Sequence, residues 1–137
     1  MIKTFELTFY MKKESLIDIT SEVSKKVEES EINVGIVHLF AVGSTSALST
    51  IEFEPGLKKD IMESLNIIAP KEKEYEHNKR WHDNNGRSHV RATILGSSLT
   101  IPIRNRSVHT GTWQQIVLFN LDIIDRERVV LGTIIGD

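Results

Sequence analysis

The chain has 137 residues, with 39% hydrophobic side chains, 26% charged side chains and a formal net charge of −2 at pH 7. This size and composition are typical of one globular domain, here residues 1–137, and the small charge excludes a general attraction to nucleic acid or to anionic membranes. The absence of cysteine excludes disulfides, a thiolate nucleophile and cysteine zinc ligands, and the lack of an 18-residue apolar run or a signal-peptide pattern favours a cytoplasmic protein.

The first half of the chain alternates between strand and helix patterns. Residues 2–9 alternate apolar and polar side chains and predict a half-buried strand. Apolar residues four apart predict helices over residues 19–29 and 57–68, the second ended by Pro70. Between them, residues 33–42 are dominated by Val, Ile, Leu and Phe, which predicts a strand buried on both faces.

The second half of the chain begins with residues 71–87, which are polar and lack periodicity, so we expect a long functional loop there. Turn signals then separate four predicted strands over residues 88–95, 98–103, 112–121 and 128–135. Two helices followed mainly by strands predict the α+β class, with a mixed, largely antiparallel sheet or sandwich.

The most informative segment is residues 81–89, which holds two of the five histidines, one carboxylate, two amides and one guanidinium. His77 lies just upstream of it. Imidazoles and a carboxylate gathered on one loop indicate ligand, metal or proton handling, and a hydrophilic surface loop is the alternative.

His77, Asp83 and His89 provide two imidazoles and a carboxylate, enough for an open catalytic metal site if they converge. Their spacing matches no compact metal motif such as HExxH. The sequence therefore leaves a divalent metal, zinc or magnesium, as one expectation and a metal-free cluster as the other.

The predicted strand 88–95 would place His89, Arg91 and Thr93 on one face. An imidazole beside a guanidinium suits a phosphate or carboxylate ligand, although a solvated polar face fits equally well. Residues 44–46, Ser-Thr-Ser after Gly43, are a second candidate for anion binding or a simple polar turn.

Three further residues are open to two interpretations. His38 lies among apolar neighbours, which favours a hydrogen-bonded core residue over a ligand-binding one. Trp113 is either a core residue or a stacking surface for a ligand ring. Gln114 opens the strand beside a glycine and is placed to hydrogen-bond a ligand.

Taken together, several blocks of the chain resemble the YjbQ-like family, also called UPF0047, whose members are described as secondary thiamine-phosphate synthase enzymes. The resemblance runs nearly end to end. The blocks that carry it are Val37-His38-Leu39, Ser44 to Ala47, Glu52 to Asp60, Tyr75-Glu76-His77, Asp83 to Gly86, Ser88-His89, Gly96 to Leu99, Thr110 to Ile116 and Arg126 to Gly136.

The resemblance implies a compact α+β domain that assembles as a homotrimer, with a polar site near the subunit boundaries. The residues that match the family motif are Thr45, Ser46, His77, Asp83, Asn85, Ser88, His89, Trp113 and Gln114. Ser44 departs from it, because many members have histidine there. The implied catalytic set is His77, Asp83, Asn85, His89 and Gln114, and the implied substrate-binding set is Thr45, Ser46, Ser88, Arg91 and Trp113.

The activity implied by the resemblance is a transferase reaction that joins a pyrimidine methyl diphosphate to a thiazole phosphate and releases diphosphate. We therefore expect an enzyme that acts on small phosphorylated substrates. Two other hypotheses remain open: a module that binds a metal or an anion without turnover, and a metal-dependent hydrolase of small phosphoesters.

Overall fold

The computed structural model describes residues 1–137, which form eight strands and four helices. The strands are β1 (Ile2–Met11), β2 (Ser15–Asp18), β3 (Val34–Val42), β4 (Ser46–Ile51), β5 (Ser98–Arg104), β6 (Ser107–Val108), β7 (Gln115–Asn120) and β8 (Arg126–Gly136). The helices are α1 (Thr20–Ser30), α2 (Pro55–Ile68), α3 (Glu76–Trp81) and α4 (Gly86–Leu95). None of them is long and apolar enough to cross a membrane.

The strands form two sheets in which every pairing is antiparallel. The larger sheet has the order β1-β8-β3-β5-β6, and the smaller has the order β2-β7-β4. The α+β class and the largely antiparallel sheets are therefore confirmed. The helices predicted over residues 19–29 and 57–68 and the strands predicted over residues 98–103 and 128–135 also form, with ends shifted by one to two residues.

The predicted strand over residues 88–95 is wrong, because these residues belong to helix α4. Apolar residues at 90, 92 and 94 alternate as they would in a half-buried strand, and a short run cannot separate the two periods. The residues that α4 buries are instead Gly86, Arg87, Ser88, Arg91 and Ala92. Their spacing of three and four residues is that of one helical face, and most of it is polar.

The loop predicted over residues 71–87 is also interrupted by a helix, because α3 forms at its centre. This helix has six residues and ends at His82, whose φ of 57° is left-handed. It buries no side chain, so it has no apolar periodicity from which the sequence could reveal it. Its effect is to hold His77 above the start of α4.

Two apolar clusters stabilise the fold, one on each face of the smaller sheet. The first fills the space between the two sheets and includes Val23 and Val27 of α1. The second lies between the smaller sheet and helices α2 and α4, which supply Leu65 and Ala92. Strand β7 contributes to both clusters, with Ile116 and Leu118 in the first and Val117 and Phe119 in the second, which Leu121 joins just after the strand.

Strand β3 buries only one of its faces, which corrects the prediction that it is buried on both. Val37, Leu39 and Ala41 point into the first cluster, whereas Ile36 and Phe40 are exposed. The reason is that α1 and the smaller sheet cover only the inner side of the larger sheet. His38 lies on the outer face, so it is not the core residue that the sequence favours, but it has the expected hydrogen-bond partner, with Nδ1 3.0 Å from Thr100 Oγ1.

Strands β1 and β8 approach closely where Phe5 pairs with Gly132. A Cβ atom at Gly132 would lie 2.1 Å from the Phe5 ring. Only glycine therefore fits at this position, and the ring lies directly over the backbone of the neighbouring strand.

Candidate functional site

Four segments of the chain meet at one corner of the molecule. They are the turn between β3 and β4, the residues that follow β7, the start of β8 and the first turn of α4. Antiparallel pairing aligns these positions, because Val42 pairs with Val129 and Ser46 pairs with Asn120. Side chains that are far apart in sequence thereby line one cleft.

His77, Asp83 and Asn85 form the cluster above this corner. His77 lies in α3, with its Nε2 3.2 Å from Asp83 Oδ2 and 3.0 Å from the Asn85 side-chain amide. Asn84, with a left-handed φ of 58°, turns the chain between Asp83 and Asn85. With its Nδ2 toward Asp83, the Asn85 amide donates to both carboxylate oxygens, at 3.0 and 3.1 Å. This orientation is the better one, because the reverse places the amide oxygen against the Asp83 carboxylate, even though that oxygen would then lie 3.0 Å from His77 Nε2 and the amide nitrogen 3.4 Å from Asp122.

His89 lies in α4 directly beneath His77. The two ring centroids are 4.4 Å apart and the ring planes are tilted by 50°. Burial lowers the pKa of His89, and the nearby His77 lowers it further, while Asp83 and Asp122 act in the opposite direction. His89 is therefore mainly neutral at pH 7, the form that can accept a proton.

Asp122 is the buried carboxylate of the corner. Burial alone would raise its pKa, but the Ile123 backbone N–H and the Arg126 guanidinium outweigh burial and lower it. The Ile123 N–H donates at 2.8 Å and Arg126 Nε at 3.0 Å. Thr45 Oγ1 also donates to this carboxylate, at 3.2 Å. Asp122 is thus a fixed negative charge that orders the groups around it.

Arg128 is almost fully buried, with 5% of its surface exposed. Its Nη2 donates at 2.6 Å to both Thr45 Oγ1 and Asn120 Oδ1. Gly43 permits this arrangement, because its φ of 132° suits glycine and a Cβ there would lie 2.9 Å from Arg128 Nη1. The guanidinium therefore lies directly under the turn between β3 and β4.

Two open clefts meet at His89. The first, of about 350 Å³, has no apolar lining residue and includes Ser44, Asp122, Arg126 and Arg128. The second, of about 530 Å³, includes Phe40, Ala41 and Ala92 among its lining. His89, Gly43 and Ser44 line both. One side of the imidazole thus faces a polar space lined by two arginines and two carboxylates, Asp122 and Glu127, and the other faces a larger and partly apolar one.

The structure brings together five of the predicted site residues in this region: Thr45, His77, Asp83, Asn85 and His89. Ser46 lies beside them in the second cleft, with its Oγ donating to the Phe119 carbonyl at 3.2 Å. Ser88 is fully buried in the first turn of α4, and its Oγ is the one buried side-chain polar atom without a hydrogen-bond partner.

Arg91 does not share a face with His89, because the segment is a helix rather than a strand. Its side chain points away from the site and donates from Nε and Nη2 to the Ala69 carbonyl, at 3.1 and 3.0 Å. Arg91 thereby holds the carboxyl end of α2. The expectation that it faces the same ligand as His89 is corrected by this geometry.

Trp113 and Gln114 lie at the far end of β7 from the corner. Six residues of strand separate Gln114 from Asn120, a distance of about 20 Å. Gln114 closes a turn, where its Oε1 accepts from the Gly111 N–H at 3.0 Å and its Nε2 donates to Thr50 Oγ1 at 2.9 Å. Trp113 is 72% exposed and so is not a core residue of this chain. Within one chain, neither residue reaches His89.

Asp122, Arg126 and Arg128 are the site residues that the sequence interpretation missed. Arg126 and Arg128 stand two apart at the start of the last strand, so they share a face. Asp122 follows the apolar run of β7. The sequence does show a carboxylate and two guanidiniums within seven residues, which could have indicated an anion site. Only the strand pairing, however, places these residues beside the histidine loop.

The same geometry tests whether His77, Asp83 and His89 fit a metal. No group of three or more His, Cys, Asp or Glu side chains is arranged to hold one. His77 Nε2, which would have to donate a lone pair to a metal, already accepts a hydrogen bond from the Asn85 amide at 3.0 Å and lies 3.2 Å from an Asp83 oxygen. As arranged, these residues do not fit a metal centre, so we derive no chemical step from one.

Comparison with known proteins gives the family. A model described as UPF0047 protein YjbQ-like matches residues 4–137. The chain belongs to this family. A UPF0047 protein of Methanothermobacter thermautotrophicus is 46% identical over 107 residues, which cover 78% of this chain and 73% of that protein. A UPF0047 protein of Archaeoglobus fulgidus is 34% identical over 120 residues, covering 88% and 91%.

A solved YjbQ-like structure has the same fold as this chain. It is the crystal structure of a protein from Sulfolobus solfataricus P2, described as YbjQ-like and of unknown function. The TM-score is 0.90 at 33% identity, over 100% of both chains. The resemblance to the family is thereby confirmed, and the names of these three relatives state no reaction.

Proposed function

We propose that this YjbQ-like protein is an enzyme that acts on small phosphorylated molecules, with His89 as the proton-transfer group. The observation that carries the proposal is the position of His89 between a polar cleft that contains two arginines and a larger, partly apolar cleft. A phosphorylated substrate has the same division, since its phosphate is anionic and its organic part is largely apolar.

The polar cleft supplies donors for a phosphate or diphosphate group. Arg126 is about half exposed, so its remaining N–H groups are available to a ligand. Arg128 donates all its hydrogen bonds from Nε and Nη2, so its Nη1, which lies beneath Gly43 in a residue that lines the cleft, is left to donate to a ligand. Ser44 adds a hydroxyl at the cleft mouth. Guanidinium groups are strong phosphate donors because their N–H groups match two phosphate oxygens at once.

The finer proposal is the reaction implied by the resemblance. The bond between the pyrimidine methylene carbon and the diphosphate oxygen breaks, and the thiazole nitrogen, which carries no proton, bonds to that carbon. The proton that His89 transfers is one taken up from solvent and passed to the departing diphosphate oxygen. Negative charge then develops on the departing diphosphate, and Arg126 and Arg128 are placed to stabilise it. The second cleft has room for a flat ring beside Phe40.

The test is an assay of thiamine phosphate formation from the two phosphorylated precursors. We expect His89→Gln to lower kcat, since glutamine hydrogen-bonds but does not take up a proton. We expect Arg126→Gln to raise KM about tenfold, the loss typical of one charged hydrogen bond. Arg104→Gln is the matched control, because Arg104 is an exposed residue of another strand and its loss should change neither constant.

Three results would contradict parts of this proposal. Equal activity of the parent and His89→Gln removes the role of His89. An equal effect of Arg104→Gln and Arg126→Gln removes the phosphate site from the polar cleft. Phosphate release from a single precursor, without the second substrate, replaces the transferase with a hydrolase of small phosphoesters.

The second candidate function is a binding module that holds an anion without turnover. The hydrogen-bonded cluster of His77, Asp83 and Asn85 favours it, since these groups are already paired with each other. Calorimetric binding of inorganic diphosphate, with no product from any precursor pair, would support this candidate. Elemental analysis of the purified protein tests the predicted zinc or magnesium directly.

We also propose that the protein assembles as a homotrimer. The exposed apolar residues of β3 and β8, among them Ile36, Phe40 and Leu131, form a surface of the kind that subunit contacts cover. Assembly would also allow Trp113 and Gln114 of one subunit to approach the His89 site of another subunit, which they cannot do within one chain. Light scattering after gel filtration measures the mass, and a monomer at micromolar concentration would refute the assembly.

A further inference from the structure

A cavity separate from the two His89 clefts lies on the opposite side of α4. Arg87 and Arg91 are four residues apart and share a helical face, whereas His89 projects from the other side of the helix. The cavity has a volume of about 190 Å³ and is lined by Glu14, Met62, Asn66, Lys71, Arg87 and Arg91. None of its polar groups has a part in the proposed reaction.

The two guanidiniums in this cavity are buried and hydrogen-bonded to the protein, but some of their N–H groups have no acceptor. Arg87 donates from Nε and Nη2 to a single Glu14 oxygen, at 3.0 and 2.6 Å. Arg91 donates from the same two nitrogens to the Ala69 carbonyl. The Nη1 group of each has no protein acceptor, and because Ser88 Oγ is the one fully buried side-chain polar atom without a partner, neither Nη1 group is sealed from solvent.

The cavity also has an excess of positive charge. Arg87, Arg91 and Lys71 supply three cations, and Glu14 supplies the one carboxylate. Burial of a guanidinium is costly unless an anion neutralises it. Consistent with this, burial lowers the pKa of Arg91 and Arg87 lowers it further, although Glu14 opposes both.

The size and connection of the cavity define the ligand. About 190 Å³ holds a phosphate group but not a drug-sized molecule, whose pockets start near about 300 Å³. Lys71 and Arg87 also line a neighbouring open cleft of about 690 Å³, whose other residues, apart from Tyr75, are polar. We propose that the cavity binds the phosphate of a polar phosphomonoester, whose remaining part lies in the larger cleft, at a site separate from the His89 clefts.

The Glu14 carboxylate competes with a phosphate ligand for the Arg87 guanidinium, so substitution of Glu14 tests the site. Removing that charge with Glu14→Gln should strengthen phosphomonoester binding about fivefold, whereas Lys71→Ala should weaken it about fivefold, as expected for one partly exposed charge. Lys71 is an exposed residue, so its loss leaves the fold intact. Lys25→Ala removes the same charge from α1 and should have no effect.

The experiment is a two-dimensional NMR titration of the intact protein with inorganic phosphate and with glycerol 3-phosphate. We expect the backbone amides of Asn66, Lys71 and Arg87 to shift, with an affinity that follows the order Glu14→Gln, parent, Lys71→Ala. Shifts confined to Ser44 and Asp122 would overturn this site while leaving the His89 site in place. Equal affinities of the parent and Lys71→Ala at residues 66, 71 and 87 would also overturn it.

Discussion

Replacement of Arg128 by methionine tests the energetic importance of the buried guanidinium. The change removes four hydrogen bonds, two to Thr45 and two to Asn120, and both 2.6 Å contacts are among them. Methionine has a similar length and no charge, so it fills much of the same space. Arg126→Met is the matched control, because Arg126 lies two residues away on the same strand and donates one bond, to Asp122.

The magnitude follows from the acceptors that remain. Asn120 Oδ1 keeps a 3.2 Å bond from the Asp122 N–H, and the Thr45 carbonyl keeps a 2.9 Å bond from the Leu121 N–H. No acceptor is therefore orphaned, and the loss is that of two short charge-assisted bonds, each about 1–1.5 kcal/mol net. We expect Arg128→Met to lower the free energy of unfolding by about 2–3 kcal/mol and Arg126→Met by less than about 1 kcal/mol.

Urea unfolding followed by circular dichroism measures both variants, with the m-value as a check that the transition stays two-state. Equal losses for Arg128→Met and Arg126→Met would refute the reasoning. That result would mean that the cost of desolvating the Arg128 guanidinium cancels its hydrogen bonds, as occurs for some buried ion pairs.

Three further predictions concern other positions. Because the pKa of His89 is lowered in the folded state, NMR spectra should show it titrating below the ordinary value of about 6.5. The contribution of this residue to the free energy of unfolding is complete above that value and is lost as the pH falls toward the folded pKa. The variant His89→Gln should therefore lose less stability than the parent as the pH falls below 7. Gly43→Ala should destabilise more than Gly96→Ala in thermal melts: both have positive φ, but a Cβ at Gly96 meets nothing within 4 Å, and equal losses would argue against the close guanidinium contact. Gly132→Ala should cost more than about 2 kcal/mol through overpacking against Phe5, and Phe5→Leu should recover part of that loss in the double variant; strictly additive effects would contradict direct contact.

The success and failure of the fold predictions have one physical origin. Strands 98–103 and 128–135 were predictable because one of their faces is apolar and the other polar. Helix α4 was not, since its buried face is built from Arg87, Ser88 and Arg91, which are polar. These polar side chains are buried because they have hydrogen-bond partners in the protein, such as Glu14 for Arg87. A search for apolar periodicity cannot detect a buried face made of polar residues.

The candidate site was predictable in its local part. His77, Asp83 and His89 lie within thirteen residues of sequence, and a turn joined to two short helices is enough to bring them together. Arg126 and Asp122 belong to the same corner only because β8 pairs with β3 and β7 pairs with β4. A single sequence contains no record of which strands are neighbours, so the side of the site that contains Asp122 and Arg126 could be found only from the fold.

Strand β7 has no side that faces water, since its alternate residues belong to the two apolar clusters. The two clusters therefore pack on opposite faces of the same strand, and displacing that strand to hydrate one cluster also exposes the other. Unfolding must then proceed as a single cooperative event, with the slowest amide exchange along residues 116–119. Asp122 continues directly from this strand, so the charge that orders the polar cleft is anchored to the part of the molecule that fluctuates least.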